Sequence, residues 1–253
     1  MQSAQKDEFI YHESLVHPAM LLQEKAVKVL VLGGGEGATC REILKHKRLK
    51  EIVMVDIDRE VVDFSKKYLS SWHRGAFENP KMNLVIGDAG KYVRESPSRF
   101  DVIFSDLPSA IRNGPAWQLY TCEFYRTLIR RLTPNGILAL QAGSGNRLQL
   151  DFHTILFSTL KNLFPIVRPY YAYIPSFDVP WAFLLCAFKK KQDPIRLTAR
   201  EADRRIRNRL SAPLHFLDGT TLEGLFRVPK YMRELLSMEK RKNTLEKPAY
   251  FFK

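Results

Sequence analysis

Cysteine is scarce, long apolar runs are missing, and low-complexity tracts and internal repeats are absent from this chain of 253 residues. Cys40, Cys122 and Cys186 are odd in number and far apart. That spacing excludes a disulfide framework and a zinc-finger pattern, and it reads as three free thiols with no metal site. No apolar stretch approaches the roughly 18 to 20 residues that a membrane-spanning helix needs. The polar opening, residues 1–8, lacks the character of a secretory signal, which points to the cytoplasm.

What the chain has in excess is positive charge, +13 formally, and the excess is local. Residues 189–253 hold 17 Lys and Arg against 8 Asp and Glu, so this stretch alone supplies +9. No zinc-finger spacing or aromatic RNA-binding motif accompanies the charge. It therefore reads as a solvated face rather than a nucleic-acid surface.

Residues 27–141 repeat one unit: a short apolar run, a turn bearing Gly or Asp, then apolar residues at helical spacing. That rhythm predicts parallel strands joined by helices, the doubly wound α/β class. The strands fall at 27–32, 52–55, 83–86, 102–105 and 136–141, with later strands at 167–173 and 181–188. Helices are expected at 38–46, 59–69, 123–131 and 150–164, with Asp58 as an N-cap. Beyond 188 the pattern changes to a basic helix at 198–209, a turn at Asp218 and Gly219, and a helix at 231–240. The organisation that follows is a leading segment 1–26, a core 27–190 and a basic helical extension 191–253.

Ligands of such folds bind outside the carboxyl ends of the strands. Four successive ends carry suggestive residues. The first opens into Gly33-Gly34-Gly35-Glu36-Gly37. The second ends at Asp56, which stands 23 residues after Gly33, a separation suited to chelating ribose hydroxyls. The third ends in Gly87-Asp88-Ala89, with Asp88 placed to accept from an adenine amino group, and the fourth ends in Asp106. Taken singly, a glycine cluster is a tight turn and each Asp is a helix cap. Together, in register, they describe a nucleoside site. Glu36 in the first loop would repel a phosphate, so the ligand there is expected to be cationic. An adenosyl sulfonium without a carboxylate fits best.

The residues Asp7-Glu8-Phe9-Ile10-Tyr11-His12-Glu13, the loop 33–37, Val55-Asp56-Ile57-Asp58, Gly87-Asp88 and Gly114-Pro115 together resemble the spermidine synthase family of polyamine aminopropyltransferases. The likeness spans about residues 7–190. The stretches 114–121, Gln141-Ala142-Gly143, Ile174-Pro175-Ser176-Phe177 and Phe216-Leu217-Asp218-Gly219 are most similar to the thermospermine synthase branch. The resemblance implies a Rossmann-like, methyltransferase-type sheet of seven mostly parallel strands. It also implies a homo-oligomer, a dimer or tetramer, with no prosthetic group.

The co-substrate so implied is decarboxylated S-adenosylmethionine, the acceptor is a polyamine, and methylthioadenosine is released. By position Asp106 matches the catalytic carboxylate. Gly33, Gly35, Glu36, Asp56, Ile57, Asp88, Ala89 and Pro115 match donor contacts. Tyr11, His12, Glu36, Asp106, Ser109 and Tyr171 match the acceptor side. Two features depart from the family pattern. Its members carry a β-rich portion ahead of the 7–13 motif, and they place Asp where this chain has Ser109. The alternative reading is a weak or inactive truncated paralog that serves as a nucleoside-binding or interaction subunit.

Overall fold

The computed structural model describes residues 4–251. One sheet of seven strands organises the molecule: β1 (Lys28–Gly33), β2 (Glu51–Asp56), β3 (Met82–Ile86), β4 (Phe100–Asp106), β5 (Leu132–Ser144), β6 (Ile166–Ile174) and β7 (Val179–Ala187). Their order across the sheet is β3-β2-β1-β4-β5-β7-β6. The first five are parallel, and β7 runs antiparallel between β5 and β6. The expected doubly wound, mostly parallel sheet is therefore the fold.

Helices cover both faces: α1 (Glu8–Leu22), α2 (Ala38–Leu44), α3 (Arg59–Tyr68), α4 (Ser70–His73), α5 (Ala89–Glu95), α6 (Cys122–Ile129), α7 (Asp151–Lys161), α8 (Ala199–Arg209), α9 (Gly219–Leu225) and α10 (Lys230–Met238). None of the helices among the described residues is long and apolar enough to cross a membrane.

Strands buried on both faces read as unbroken apolar runs because alternate side chains feed two separate cores. Val29, Val31, Ile52, Met54, Val102 and Phe104 face one cluster, shared with α1. Leu30, Leu32, Val53, Val55, Ile103 and Leu138 face the other, shared with α6 and α7. Side chains fully buried in this way each contribute about 1.5–3 kcal/mol.

Helices α1, α4, α5 and α9 are not among those expected from sequence, and for α1 and α9 the reasons differ. α1 carries no one-sided apolar stripe because most of its circumference is enclosed, including Glu8, His12, Glu13 and His17. A helix covered on nearly all sides has no period to detect. At Asp218 the expected turn is instead a helix start, since its side chain accepts from Thr221 N at 2.7 Å and caps α9. The strand read at 136–141 also begins earlier, at Leu132, which pairs with Phe100 ahead of a register shift.

The basic segment packs on both cores. Leu197, Ala202, Leu210, Leu217, Leu222 and Phe226 join the α1 cluster, and Leu236 of α10 joins the other. Glu13 ties the segment to α1: its buried carboxylate accepts the backbone N–H groups of His215 at 2.8 Å and of Phe216 and Leu217 at 2.9 Å. At the far end of α1, Arg205 and Arg209 donate to Leu21 O at 2.9 and 3.1 Å. Those guanidinium groups satisfy carbonyls that a helix C-terminus leaves open and complement its dipole.

Replacing Glu13 by Ala leaves three backbone donors without their acceptor. The expected result is a loss of about 3 kcal/mol of unfolding free energy. Urea denaturation measures it, and faster amide hydrogen exchange confined to residues 210–226 locates it.

Candidate active site

Register brings the strand ends together. Gly33 on β1 is paired with Asp106 on β4, and Gly34 N donates to Asp106 O at 3.1 Å. On the other side Asp56 ends β2, and its carbonyl accepts from Gly87 N at 2.8 Å. Asp88, the loop 33–37, Asp56 and Asp106 thus stand along one carboxyl edge, as the sequence pattern anticipated. The glycines are there because the chain has no room for more. At Gly33, with φ of +79°, a Cβ would sit 2.3 Å from Asp106 O, and at Gly35 it would sit 2.9 Å from Asp56 Oδ2.

Asp106 is held at both oxygens. Tyr11 Oη, from α1, donates to Oδ1 at 2.6 Å, and Thr39 Oγ1, from α2, donates to Oδ2 at 2.5 Å. Burial pushes the Asp106 carboxyl up from the usual range, and Glu36 adds to that, while the charge of His12 and the two hydroxyl donors pull the other way. Burial, then the charge of Asp106, also raises the Tyr11 phenol far above its ordinary value, so it remains a donor. The result is a carboxylate of increased basicity, fixed in direction by two neutral groups.

Glu36 reaches back to α1, with Oε1 2.8 Å from His12 Nε2. The other ring nitrogen, Nδ1, lies 2.8 Å from Glu8 Oε2. Burial alone would depress this imidazole, but the carboxylates of Glu36 and Glu8 outweigh it and raise it to about 10. It is therefore an imidazolium between two carboxylates. The chain of charges continues inward. Arg41 donates to both oxygens of Glu8 at 2.9 Å and to Glu42 at 2.8 Å, and Glu42 meets His17 at 2.9 Å and Lys45 at 2.6 Å. Thr39, Arg41 and Glu42 were not picked out from the sequence, and Glu8 was named only as part of the 7–13 motif, with no role in the site. The four-residue spacing of Glu8 and His12 was the available signal, since it stacks them on one helix face.

The nucleoside side is more open. Asp56 accepts Asp58 N at 3.0 Å, and burial raises its carboxyl against that bond. Asp88 is exposed and caps α5 by accepting Lys91 N, so the cap reading holds while its carboxylate still faces outward. Ala89 is buried at the start of α5, and Ile57 is 57% exposed beside Asp56. Pro115 is exposed on the loop that follows Asp106. Leu119 of the same stretch lies against the start of α5, where a Cβ on Gly90 would be 3.2 Å from it.

That loop is braced from beneath and from the side. Gln141 donates to Leu107 O at 2.8 Å, and Tyr120 Oη donates to Leu107 O and Pro108 O, both at 3.1 Å. Ser109 follows, half-buried. From the far end of the chain Phe251 N donates to Ala110 O at 2.7 Å, while the Arg112 guanidinium lies over the Tyr250 ring, 5.4 Å from its centre.

Tyr171 does not join the group. Along β6, Tyr170 and Ala172 point to the α1 face, so Tyr171 must point to the opposite one, where His153 Nε2 lies 2.8 Å from its hydroxyl. The aromatic residues that do stand near Tyr11 are Phe183 and Phe177, with ring centres 5.4 and 6.2 Å away, and Trp181 packs on Phe177 at 5.0 Å.

The raised His12 gives a pH signature with a definite sign. Its folded-state value, about 10, exceeds the ordinary imidazole value of 6.5. The stability linked to that proton is complete below about pH 6.5 and is lost as pH rises through 10. Unfolding free energy should fall by about 1 kcal/mol per pH unit across this window. Chemical denaturation at a series of pH values checks it, with a flattened dependence expected in His12→Gln.

Comparison with known proteins agrees with this geometry. The spermine/spermidine synthase domain matches residues 8–196. A polyamine aminopropyltransferase of Sulfolobus acidocaldarius is 45% identical over 249 residues, covering 98% of this chain and 82% of that protein. Polyamine aminopropyltransferase 2 of Hyperthermus butylicus is 44% identical, covering 99% of this chain and 81% of its own length. Among solved structures, a spermidine synthase in complex with the transition-state analogue AdoDATO superposes with a TM-score of 0.78 at 26% identity, covering 92% of this chain and 76% of the other. The spermidine synthase of Thermotoga maritima superposes with a TM-score of 0.77, also at 26% identity and with the same coverage. With the family domain matched over three quarters of its length and relatives up to 45% identical across nearly all of it, this chain belongs to the spermine/spermidine synthase family.

Proposed function

We propose that the chain is a polyamine aminopropyltransferase that moves the aminopropyl group of decarboxylated S-adenosylmethionine to a polyamine and releases methylthioadenosine. The acceptor assignment most in keeping with the 114–121 and 174–177 stretches is spermidine, giving thermospermine; putrescine, giving spermidine, is the other. The names of the relatives support the reaction class. The observation that carries it in this chain is Asp106, a half-buried carboxylate of raised basicity held by Tyr11 and Thr39 at the strand edge that the glycine loop also faces.

An ammonium has no lone pair to attack with, so the acceptor nitrogen must first lose a proton. Asp106 is the group placed to take it. The freed lone pair then forms the new N–C bond at the aminopropyl carbon beside sulfur, the C–S bond breaks, and its electron pair stays on sulfur, which leaves as a neutral thioether. Asp56 and Asp88 serve as the contacts for ribose and adenine. Holding the two reactants together supplies much of the acceleration.

Electrostatics set the main obstacle. Two cations about 4 Å apart repel by roughly 4 kcal/mol at an effective dielectric near 20. Glu36 offsets less of this than its sequence position suggests, because its charge is shared with the imidazolium of His12. Asp106 therefore bears most of the task. Ser109 adds a hydroxyl but no charge on the acceptor side.

Asp106→Asn should lower turnover by about 10²- to 10⁴-fold, the range typical of a lost general base. Calorimetric titration with methylthioadenosine should give an affinity within a few-fold of the parent. Tyr11→Phe, which frees one oxygen of Asp106, should cost turnover less, by about 10-fold, corresponding to one hydrogen bond. Assaying methylthioadenosine release with a panel of polyamines decides the matter. Tight nucleoside binding with no product from any acceptor would sink the transferase reading and leave a nucleoside-binding subunit.

A further inference from the structure

A second carboxylate stands on the same face of α1 as Tyr11, and the mechanism has not used it. Asp7 is 6% exposed, at the position where a capping residue precedes the helix, yet its side chain caps nothing. One oxygen, Oδ2, accepts from Ser176 N at 2.6 Å in the turn between β6 and β7. The other, Oδ1, is enclosed and has no hydrogen-bond partner among the described residues, and no ion pair there involves Asp7. Two further enclosed polar atoms on this turn and the strand after it, Ser176 Oγ and Trp181 Nε1, also lack hydrogen-bond partners among the described residues.

A buried carboxylate oxygen with no donor is costly, and the group that relieves it best is a cation with several N–H donors. The surroundings select the shape of that cation. Residues four apart on a helix lie about 6 Å from each other, so Asp7 stands one turn before Tyr11, whose hydroxyl touches Asp106. A row of rings connects the two: Tyr11, bonded to Asp106, lies against Phe177, the neighbour of the Ser176 whose N–H Asp7 accepts, and Phe177 packs on Trp181. Such a wall suits a run of methylenes with a positive charge at each end, since aromatic faces accept both.

Resting on the aminopropyltransferase reading, we infer that Asp7, with Ser176 Oγ, receives the far ammonium of the acceptor while Asp106 takes the proton from the near one. The subsite selects for amines with a second positive nitrogen. It also supplies on α1 the acceptor-side charge that the loop does not carry at Ser109.

Asp7→Asn keeps an acceptor for Ser176 N and removes the charge. Turnover is compared for a diamine and for a monoamine of equal chain length that lacks the far ammonium. The preference of the parent for the diamine in kcat/KM should fall at least about 10-fold in Asp7→Asn, mainly through KM, which equals the loss of about 1.4 kcal/mol of discrimination. Ser176→Ala should lower it about 3-fold. Methylthioadenosine affinity should be unchanged in both variants, which shows that the folded site survives. An unchanged preference overturns the inference, and so does an equal loss with both amines, which would mark Asp7 as structural. Should the parent turn over neither amine, the transferase reading fails. Titration of the diamine onto the methylthioadenosine complex then judges the subsite separately: equal affinity of parent and Asp7→Asn refutes it, and weaker binding by the variant supports it.

Discussion

The alternating charges from Glu36 through His12, Glu8 and Arg41 to Glu42 hold α1 where Tyr11 reaches Asp106. Buried ions are expensive to desolvate, and they persist only where each finds partners of opposite sign. Here each carboxylate has a cation on at least one side. Removing one member would strand its neighbours, so the chain acts as a unit that fixes the register of a helix against a sheet. That helix lacks the usual one-sided apolar stripe because its polar residues are as enclosed as its leucines.

The arrangement divides the carboxylates of the site by role. Glu36 and Glu8 are neutralised by His12 and Arg41, and they serve geometry more than field. Asp56 and Asp88 use backbone N–H groups of the helices that follow them, which fixes their carboxylates without cancelling their charge. Only Asp106 is met purely by uncharged hydroxyl donors. A carboxylate so treated keeps its negative charge available and its basicity elevated, the combination that proton abstraction from an ammonium asks for.

Much of this could be read from the residues alone, and the reasons are physical. Strands buried on both faces announce themselves as apolar runs, and each run stops where a glycine or carboxylate meets the carboxyl edge, so Gly33, Asp56, Asp88 and Asp106 were legible together. Thr39 and Arg41 were not, because hydroxyl and guanidinium groups one turn into a helix have no pattern that separates a ligand from a surface residue. Tyr171 shows the opposite difficulty. Three tyrosines within four positions of β6 cannot be told apart until the parity of the strand is known, and parity placed Tyr170 on the α1 side. The pairing of Glu13 with the amides of 215–217 was invisible for another reason: its partners are backbone groups some 200 residues away.

The position of Arg205 and Arg209 at the last carbonyls of α1 keeps part of the protein's positive charge away from the strand edge. α1 has 15 residues, so its two ends are about 22 Å apart. At physiological ionic strength potentials decay over about 8 Å, and Leu21, where the two arginines bind, lies ten residues or about 15 Å along the helix from Tyr11, nearly two such lengths. A polycation approaching the strand edge feels those two arginines weakly, although Arg112 on the loop after Asp106 is nearer. In dilute buffer the screening cloud expands, the whole +13 becomes visible, and the same encounter slows.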